Sequence, residues 1–249
     1  MINETTLIRG RAAVLAATSG HPYARLTTGG DGPVTGYLLN GTTIWTGPGP
    51  WGPIACALGD AERAATVFAA LADTGDLGGA SWLHLPRASM TALAALAAQL
   101  PVEYHDQWEF RWTSNPPPPQ PGEEQVIQLT DADHSEIAAL IEEAFPDTTT
   151  RPGDPRIVRW FGLRAGERLV ACGADRSKGG VGFLAGLTVA TDLRGRGLGA
   201  ALTAAMTRRL LTDHAEVALG VITDNQSAVR LYERLGFTST LTRTSVRLG

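Results

Sequence analysis

The 249-residue chain carries 21 basic and 25 acidic side chains, a formal net charge of −4, and its length suits one large domain or two small ones. Six basic residues stand against nine acidic over 1–120, and fifteen against sixteen over 121–249, so neither half offers a basic face to nucleic acid. Lys178 is the single lysine, which argues against a Walker loop. Cys56 and Cys172 make neither a disulfide framework nor a zinc site. No apolar run approaches the roughly 18 to 20 residues of a membrane span, and a reducing cytoplasm is the expected compartment.

In chain order, Arg9 and Arg11 precede a short apolar run over 12–17 that imitates a secretory leader, but Glu4 is acidic and the run is short. Residues 6–19 are therefore read as a helix. Strands are expected over 34–39, 43–46 and 54–58, then a helix over 61–72, a strand over 81–85, a helix over 90–100 and a strand over 102–112. The run Pro116-Pro117-Pro118-Pro119-Gln120-Pro121-Gly122 continues neither a helix nor a central strand. It predicts a semi-rigid linker, residues 116–123, between domains 1–115 and 124–249. Beyond it the spacing predicts a helix over 131–145, strands over 157–163, 168–174 and 182–190, and a helix from Leu198 to Thr212 on Leu198, Leu202, Met206 and Leu210. A strand over 216–222, a helix over 227–235 and one or two strands over 237–248 complete an α/β chain with a mixed sheet.

The segment Arg194-Gly195-Arg196-Gly197-Leu198-Gly199-Ala200 joins the strongest strand to the strongest helix. Glycines there permit positive φ and close approach, and the first helical turn offers unpaired N–H groups at the positive end of its dipole. That is a phosphate cradle. Gly195-x-Gly197-x-x-Ala200 also fits the dinucleotide spelling, with Asp213 and Glu216 about 20 residues on as ribose ligands. Fewer than 50 residues remain beyond the turn, too few for the further strand-helix units which that fold requires.

Read as Arg194-x-x-Gly197-x-Gly199, the turn resembles the GCN5-related N-acetyltransferase (GNAT) family, whose pattern Q/R-x-x-G-x-G/A joins a strand to a helix. Leu187-Thr188-Val189-Ala190-Thr191-Asp192-Leu193 resembles that family's strand and approach loop. Asn225-Gln226-Ser227-Ala228-Val229-Arg230-Leu231-Tyr232-Glu233-Arg234-Leu235-Gly236-Phe237 is similar to its second motif. The resemblance covers residues 124–249; the looser element order of residues 1–115 suggests a degenerate second copy of the fold, although no sequence repeat is visible, with a separate accessory module for interaction as the second reading.

The resemblance implies an acetyltransferase that takes acetyl-coenzyme A as acyl donor and a small-molecule amine as acceptor. Arg194, Gly195, Arg196, Gly197, Leu198, Gly199 and Ala200 would hold the pyrophosphate, and the backbone of Leu187, Thr188 and Val189 would pair with the pantetheine arm like an added strand. Asn225, Ala228 and Tyr232 would also face the cofactor, with Asn225 bonding a pantetheine amide and Tyr232 protonating the departing thiolate. Asn225 is equally suited to cap a helix, and Tyr232 to a place in a core.

No metal is implied. The strand over 182–190 lacks the glutamate that some members carry there, so no base is named; Glu142, Glu143 and Asp147 are substitutes by position, and His134 and His214 read as surface or capping residues. The turn Gly47-Pro48-Gly49-Pro50-Trp51-Gly52-Pro53 has prolines where amides would hold phosphate. Trp45, Trp51, Trp82, Trp108 and Trp112 are candidates to line an acceptor cleft, with core burial the simpler expectation for most. Two further readings stay open: a coenzyme A-binding sensor or scaffold without catalysis, and a nucleotide-dependent oxidoreductase.

Overall fold

A computed structural model describes residues 5–49 and 52–249. The chain divides into two compact units: Met1–Phe110 with Val221–Asp224 and Thr240–Gly249, and Arg111–Gly220 with Asn225–Ser239. Among the described residues, no helix is long and apolar enough to cross a membrane.

The first half runs β1 (Thr6–Arg9), α1 (Arg11–Ala17), α2 (Pro22–Thr27), β2 (Thr35–Leu39), β3 (Thr42–Gly49), β4 (Gly52–Leu58), α3 (Ala61–Asp73), β5 (Trp82–Pro86), α4 (Met90–Ala97) and β6 (Val102–Thr113). The second runs β7 (Ile127–Leu129), α5 (His134–Ala144), β8 (Arg159–Ala165), β9 (Arg168–Asp175), β10 (Gly182–Val189), α6 (Leu198–Leu210), β11 (Val217–Ile222), α7 (Gln226–Arg234) and β12 (Ser239–Leu248). Apart from one helix in place of two after the first strand, the order is the same. Pairing repeats as well: three antiparallel ladders, β1 to β4 and β7 to β10, each precede a parallel pair, β4 with β5 and β10 with β11. The halves thus share one architecture where their sequences share little.

Residues 6–19 depart from the expected single helix. Gly10, at φ +84°, separates β1 from α1, and Thr6 to Arg9 pair with Leu38 to Thr35. The apolar spacing over 12–17 supports a helix, but the residues before it find a strand partner almost 30 positions on, and that pairing decides their state. On either side of the glycine- and proline-rich turn, Gly47 pairs with Ile54 and Gly49 with Gly52, at the end of the β3–β4 ladder. Pro50 and Trp51 lie outside the described residues.

In the first unit the strands lie in the order β1-β2-β3-β4-β5-β12-β6. The C-terminal strand joins it by antiparallel pairing, Ser245 opposite His84 and Arg247 opposite Trp82. One sheet face and helices α3 and α4 share a core including Phe68, Leu71, Leu83, Leu85, Leu93, Leu96 and Val246. Each such side chain contributes about 1.5 to 3 kcal/mol on burial.

In the second unit the order is β11-β10-β9-β8-β7, and α5 and α6 both pack on β9. Gly173 of β9 makes room for this: a Cβ there would meet Leu187 Cδ2 at 2.7 Å and Met206 Sδ at 2.8 Å. The proline run belongs to this unit. Pro117 is buried and its carbonyl accepts a hydrogen bond from Arg208 Nη2 at 2.5 Å, while Arg208 Nε bonds Glu123 at 3.1 Å.

Candidate active site

Strand β10 pairs in parallel with β11 from Gly182 opposite Val217 to Leu184 opposite Leu219. Beyond Leu184 its described partner is β9 alone, with Thr188 opposite Cys172 and Val189 opposite Ala171 after a bulge between Ala185 and Thr188. Gly186 makes the bulge, at φ +58°, and the Thr188 hydroxyl closes it by donating to the Gly186 carbonyl at 3.0 Å. A Cβ on Gly186 would come within 2.9 Å of the buried Thr150 side chain. Parting of two parallel strands leaves the backbone of Leu187 to Val189 without a β11 partner, a slot that an extended chain can fill.

A short 3-10 turn over Thr191–Leu193 leads from β10 to the glycines. Gly195 and Gly197 adopt φ +76° and +85°, and a Cβ on either would meet nothing within 4 Å. Ala201 N–H is bonded to the Gly197 carbonyl at 3.0 Å, so the amides of Leu198, Gly199 and Ala200 precede the first helical bond and have no partner inside the helix. Residues Arg194 to Gly197 are exposed. An exposed, left-handed glycine turn at the start of a 13-residue helix, free of side-chain obstruction, fits an anion such as a pyrophosphate.

The Arg194 side chain lies elsewhere than the phosphate reading suggests. Its Nη2 donates to the carbonyl of Ala144, the last residue of α5, at 2.7 Å and its Nε to Val189 at 3.4 Å. A cation there also complements the helix C-terminus. What the turn presents to an anion is therefore its amides and the exposed Arg196. Thr191 donates to Glu143 at 2.9 Å, and Arg168 bonds Asp192 at 2.8 Å and lies 3.7 Å from Glu143. These contacts tie the end of α5 to the approach of the turn. Sequence periodicity carries no sign of them, because they join segments about 50 residues apart.

Asn225 caps α7, its Oδ1 accepting from Ala228 N–H at 3.2 Å, a contact that stabilises a helix by about 1 kcal/mol. The cap uses the amide oxygen, which leaves the Nδ2 donors of this exposed side chain for another partner. Gly236, at φ +91°, ends α7: its N–H bonds the Glu233 carbonyl at 3.0 Å and Phe237 N–H bonds the Tyr232 carbonyl at 2.9 Å. This is a Schellman ending, which brings the residue after the glycine onto the third residue from the helix end. Phe237 accordingly meets the Tyr232 ring edge to face at 6.1 Å. Buried Arg111 fastens the same end, bonding Glu233 at 2.9 Å and the Phe237 carbonyl at 3.2 Å.

Tyr232 is 8% exposed, and burial pushes its phenol up to about 12. Val189 and Leu231 converge on Gly199, each 3.7 Å from the position of a Cβ there, so β10, α6 and α7 meet at the first turn of α6. Strand edge, glycine turn and Tyr232 helix are in this way gathered in one unit.

The other candidates are distributed more loosely. Glu142 lies 3.9 Å from Arg151 and Glu143 faces Arg168 and Thr191, and His134 lies 3.3 Å from Asp131. Cys172 is buried, its thiol pushed up to about 12 by desolvation, which suits a core residue rather than a nucleophile. Among the described residues no cluster of three or more His, Cys, Asp or Glu is placed to hold a metal.

Comparison with known proteins bears on the fold that carries these residues. The family model of FR47-like proteins matches residues 160–247, which span β8 to β12. Mycothiol acetyltransferase of Mycobacterium leprae is 32% identical over 210 residues, with 71% of this chain and 66% of the relative covered; the chain spans just under two thirds of that relative's length. A GNAT-family acetyltransferase structure from Novosphingobium aromaticivorans superposes with TM-score 0.57 at 23% identity, covering 94% of this chain and 96% of the other. One from Colwellia psychrerythraea gives 0.53 at 11%, covering 98% and 99%. The fold is therefore that of GNAT proteins over nearly the whole chain. The chain is similar to GCN5-related N-acetyltransferases in this fold and, over residues 160–247, to FR47-like proteins.

Proposed function

We propose that the second unit transfers an acetyl group from acetyl-coenzyme A to the amine of a small-molecule acceptor by direct attack. The observation that carries this reading is the meeting of an unobstructed glycine turn with a strand whose edge is unpaired immediately before it. The name of the mycobacterial relative supports acetyl as the group moved.

Acetyl-coenzyme A would supply an activated thioester. The amides of Leu198, Gly199 and Ala200, with Gly195, Gly197 and Arg196, hold its pyrophosphate; the backbone of Leu187, Thr188 and Val189 pairs with its arm, and Asn225 Nδ2 and the α7 face around Ala228 meet the same arm. Attack forms the C–N bond as the C–S bond breaks, and the nitrogen loses a proton as the sulfur gains one. A phenol at about 12 lies well above a thiol of about 8.5, so Tyr232 is a weak donor on its own. It serves as an acid when its proton is replaced in the same event by the one released from nitrogen. The acetyl group passes directly, since the buried Cys172 offers no accessible thiolate.

Release of coenzyme A thiol tests the reading, measured with acetyl-coenzyme A and a panel of amines, amino acids, polyamines and aminoglycosides. Acceptor-dependent thiol release supports an enzyme. Tight binding without release by any acceptor favours a sensor or scaffold.

A further inference from the structure

The face of the first unit opposite its hydrophobic core carries a polar cluster with no part in the reaction above. On β5, Trp82 and His84 point away from buried Leu83 and Leu85, and on β12 Ser245 lies opposite His84. Ser245 Oγ is a hub: His84 Nδ1 lies 2.8 Å away and Trp108 Nε1 donates to it at 2.7 Å. The Asp106 carboxyl also interacts with the Ser245 hydroxyl and amide.

Proton counting gives the histidine a role. An indole N–H only donates and a carboxylate only accepts; with the Ser245 proton directed to Asp106, His84 donates from Nδ1. His84 Nε2 is left as a bare lone pair. Among the described residues Nε2 has no hydrogen-bond partner, and His84 is half-buried. Asp106 Oδ1 is buried and has no hydrogen-bond partner. Nearby cations are directed elsewhere: Arg247 to Glu103 at 3.4 Å, and Arg243 to the carbonyls of Ala57 and His84 at 2.7 and 2.6 Å. A buried carboxylate oxygen without a partner is costly. Two acceptors without a protein partner, on residues that both meet Ser245, call for a ligand rich in donors.

Aromatic rings flank them. Trp82 stacks parallel to His84 at 6.2 Å and meets Tyr104 edge to face at 6.5 Å, Tyr104 is 52% exposed, and Trp108 leans on Tyr23 at 6.3 Å. Negative charge among aromatic faces suits an organic cation, and the absence of a three-ligand cluster among the described residues disfavours a metal.

We propose that this face binds a small primary-ammonium compound, its ammonium on Asp106 and a neighbouring hydroxyl or N–H on His84 Nε2, between Trp82, Tyr104 and Trp108. The inference stands on the first unit alone and needs no acetyl-coenzyme A.

The test titrates the full-length protein, without acetyl-coenzyme A, with ethanolamine, putrescine, spermidine and kanamycin to about 10 mM, read by tryptophan fluorescence and by the melting temperature. At least one should give a saturable response absent with its N-acetylated form. Asp106→Asn, which keeps the shape and removes the charge, should weaken that response by about tenfold or more. Trp82→Ala should also weaken it, with folding of both variants verified by circular dichroism. No saturable response from any of the four, or equal affinity in both folded variants, would overturn the proposal.

Discussion

Phe237 holds Tyr232 in two ways, by an N–H bond to its carbonyl at 2.9 Å and by an edge-to-face ring contact at 6.1 Å. The Schellman ending at Gly236 makes both contacts follow from local sequence. Phe237 is thus a positioning residue for the phenol. Phe237→Leu preserves apolar bulk and should cost less than about 1.5 kcal/mol of stability while lowering kcat. The affinity for acetyl-coenzyme A, measured by calorimetry, should stay close to that of the parent.

Tyr232→Phe should keep acetyl-coenzyme A affinity and lower turnover by about 10² to 10⁴ where proton transfer limits the rate. Because burial raises the phenol to about 12, Tyr232 keeps its proton throughout the range from pH 7 to about 10. Turnover in that range should show no alkaline limb that disappears in Tyr232→Phe. Unchanged turnover in the variant, with chemistry shown to be rate-limiting, would assign the acid to a water.

One acetyl-coenzyme A should bind per chain. In the first unit the strand-to-helix turn is Gly59-Asp60, and Asp60 Oδ1 already accepts from Arg63 N–H at 2.8 Å. A carboxylate at the start of α3, with Glu62 in the first turn, takes up the dipole and repels phosphate. Just past the last paired residues of β4 and β5, Cys56 and His84, the buried Arg243 guanidinium bridges the carbonyls of Ala57 and His84. The slot that lies open in β10 is therefore filled in β4. Calorimetric stoichiometry near one would agree; two equivalent sites would not.

Stability should fall with acid because of His84. Burial and the Arg243 charge push the ring down to about 3 from an ordinary 6.5. Between those values the unfolded chain binds a proton that the folded chain does not, so the contribution is complete above about pH 6.5 and is lost as the pH falls towards 3. The loss at pH 5 is on the order of 2 kcal/mol. Chemical denaturation of the parent and His84→Gln at pH 5 and pH 7.5 checks this: the difference between the two pH values should shrink in the variant.

The amphipathic spacing of Leu198, Leu202, Met206 and Leu210 makes α6 readable, and Asn225 with Gly236-Phe237 marks both ends of α7, because cap and helix ending are local. β1 was not readable as a strand, since its partner β2 lies far along the chain and the nearer signal was the helical run after Gly10. Nor does sequence show that Ser245 pairs opposite His84, or that Arg194 turns back to Ala144. Backbone conformation at Gly195 and Gly197 follows from residue type; side-chain direction and long-range pairing follow from packing, which has no short-range signature. The polar cluster around Ser245 was invisible for the same reason.

The most direct measurement is calorimetric titration of acetyl-coenzyme A and of NAD into the parent protein and Gly197→Val. At φ +85° a β-branched residue is strained, and its side chain would enter the open space over the amides. The parent should bind acetyl-coenzyme A and not NAD, and should gain about 2.7 kcal/mol of stability at a hundredfold excess over Kd. Gly197→Val, its first unit still folded by circular dichroism, should lose that binding. Binding of NAD with none of acetyl-coenzyme A, or undiminished acetyl-coenzyme A affinity in Gly197→Val, would contradict the assignment of the turn.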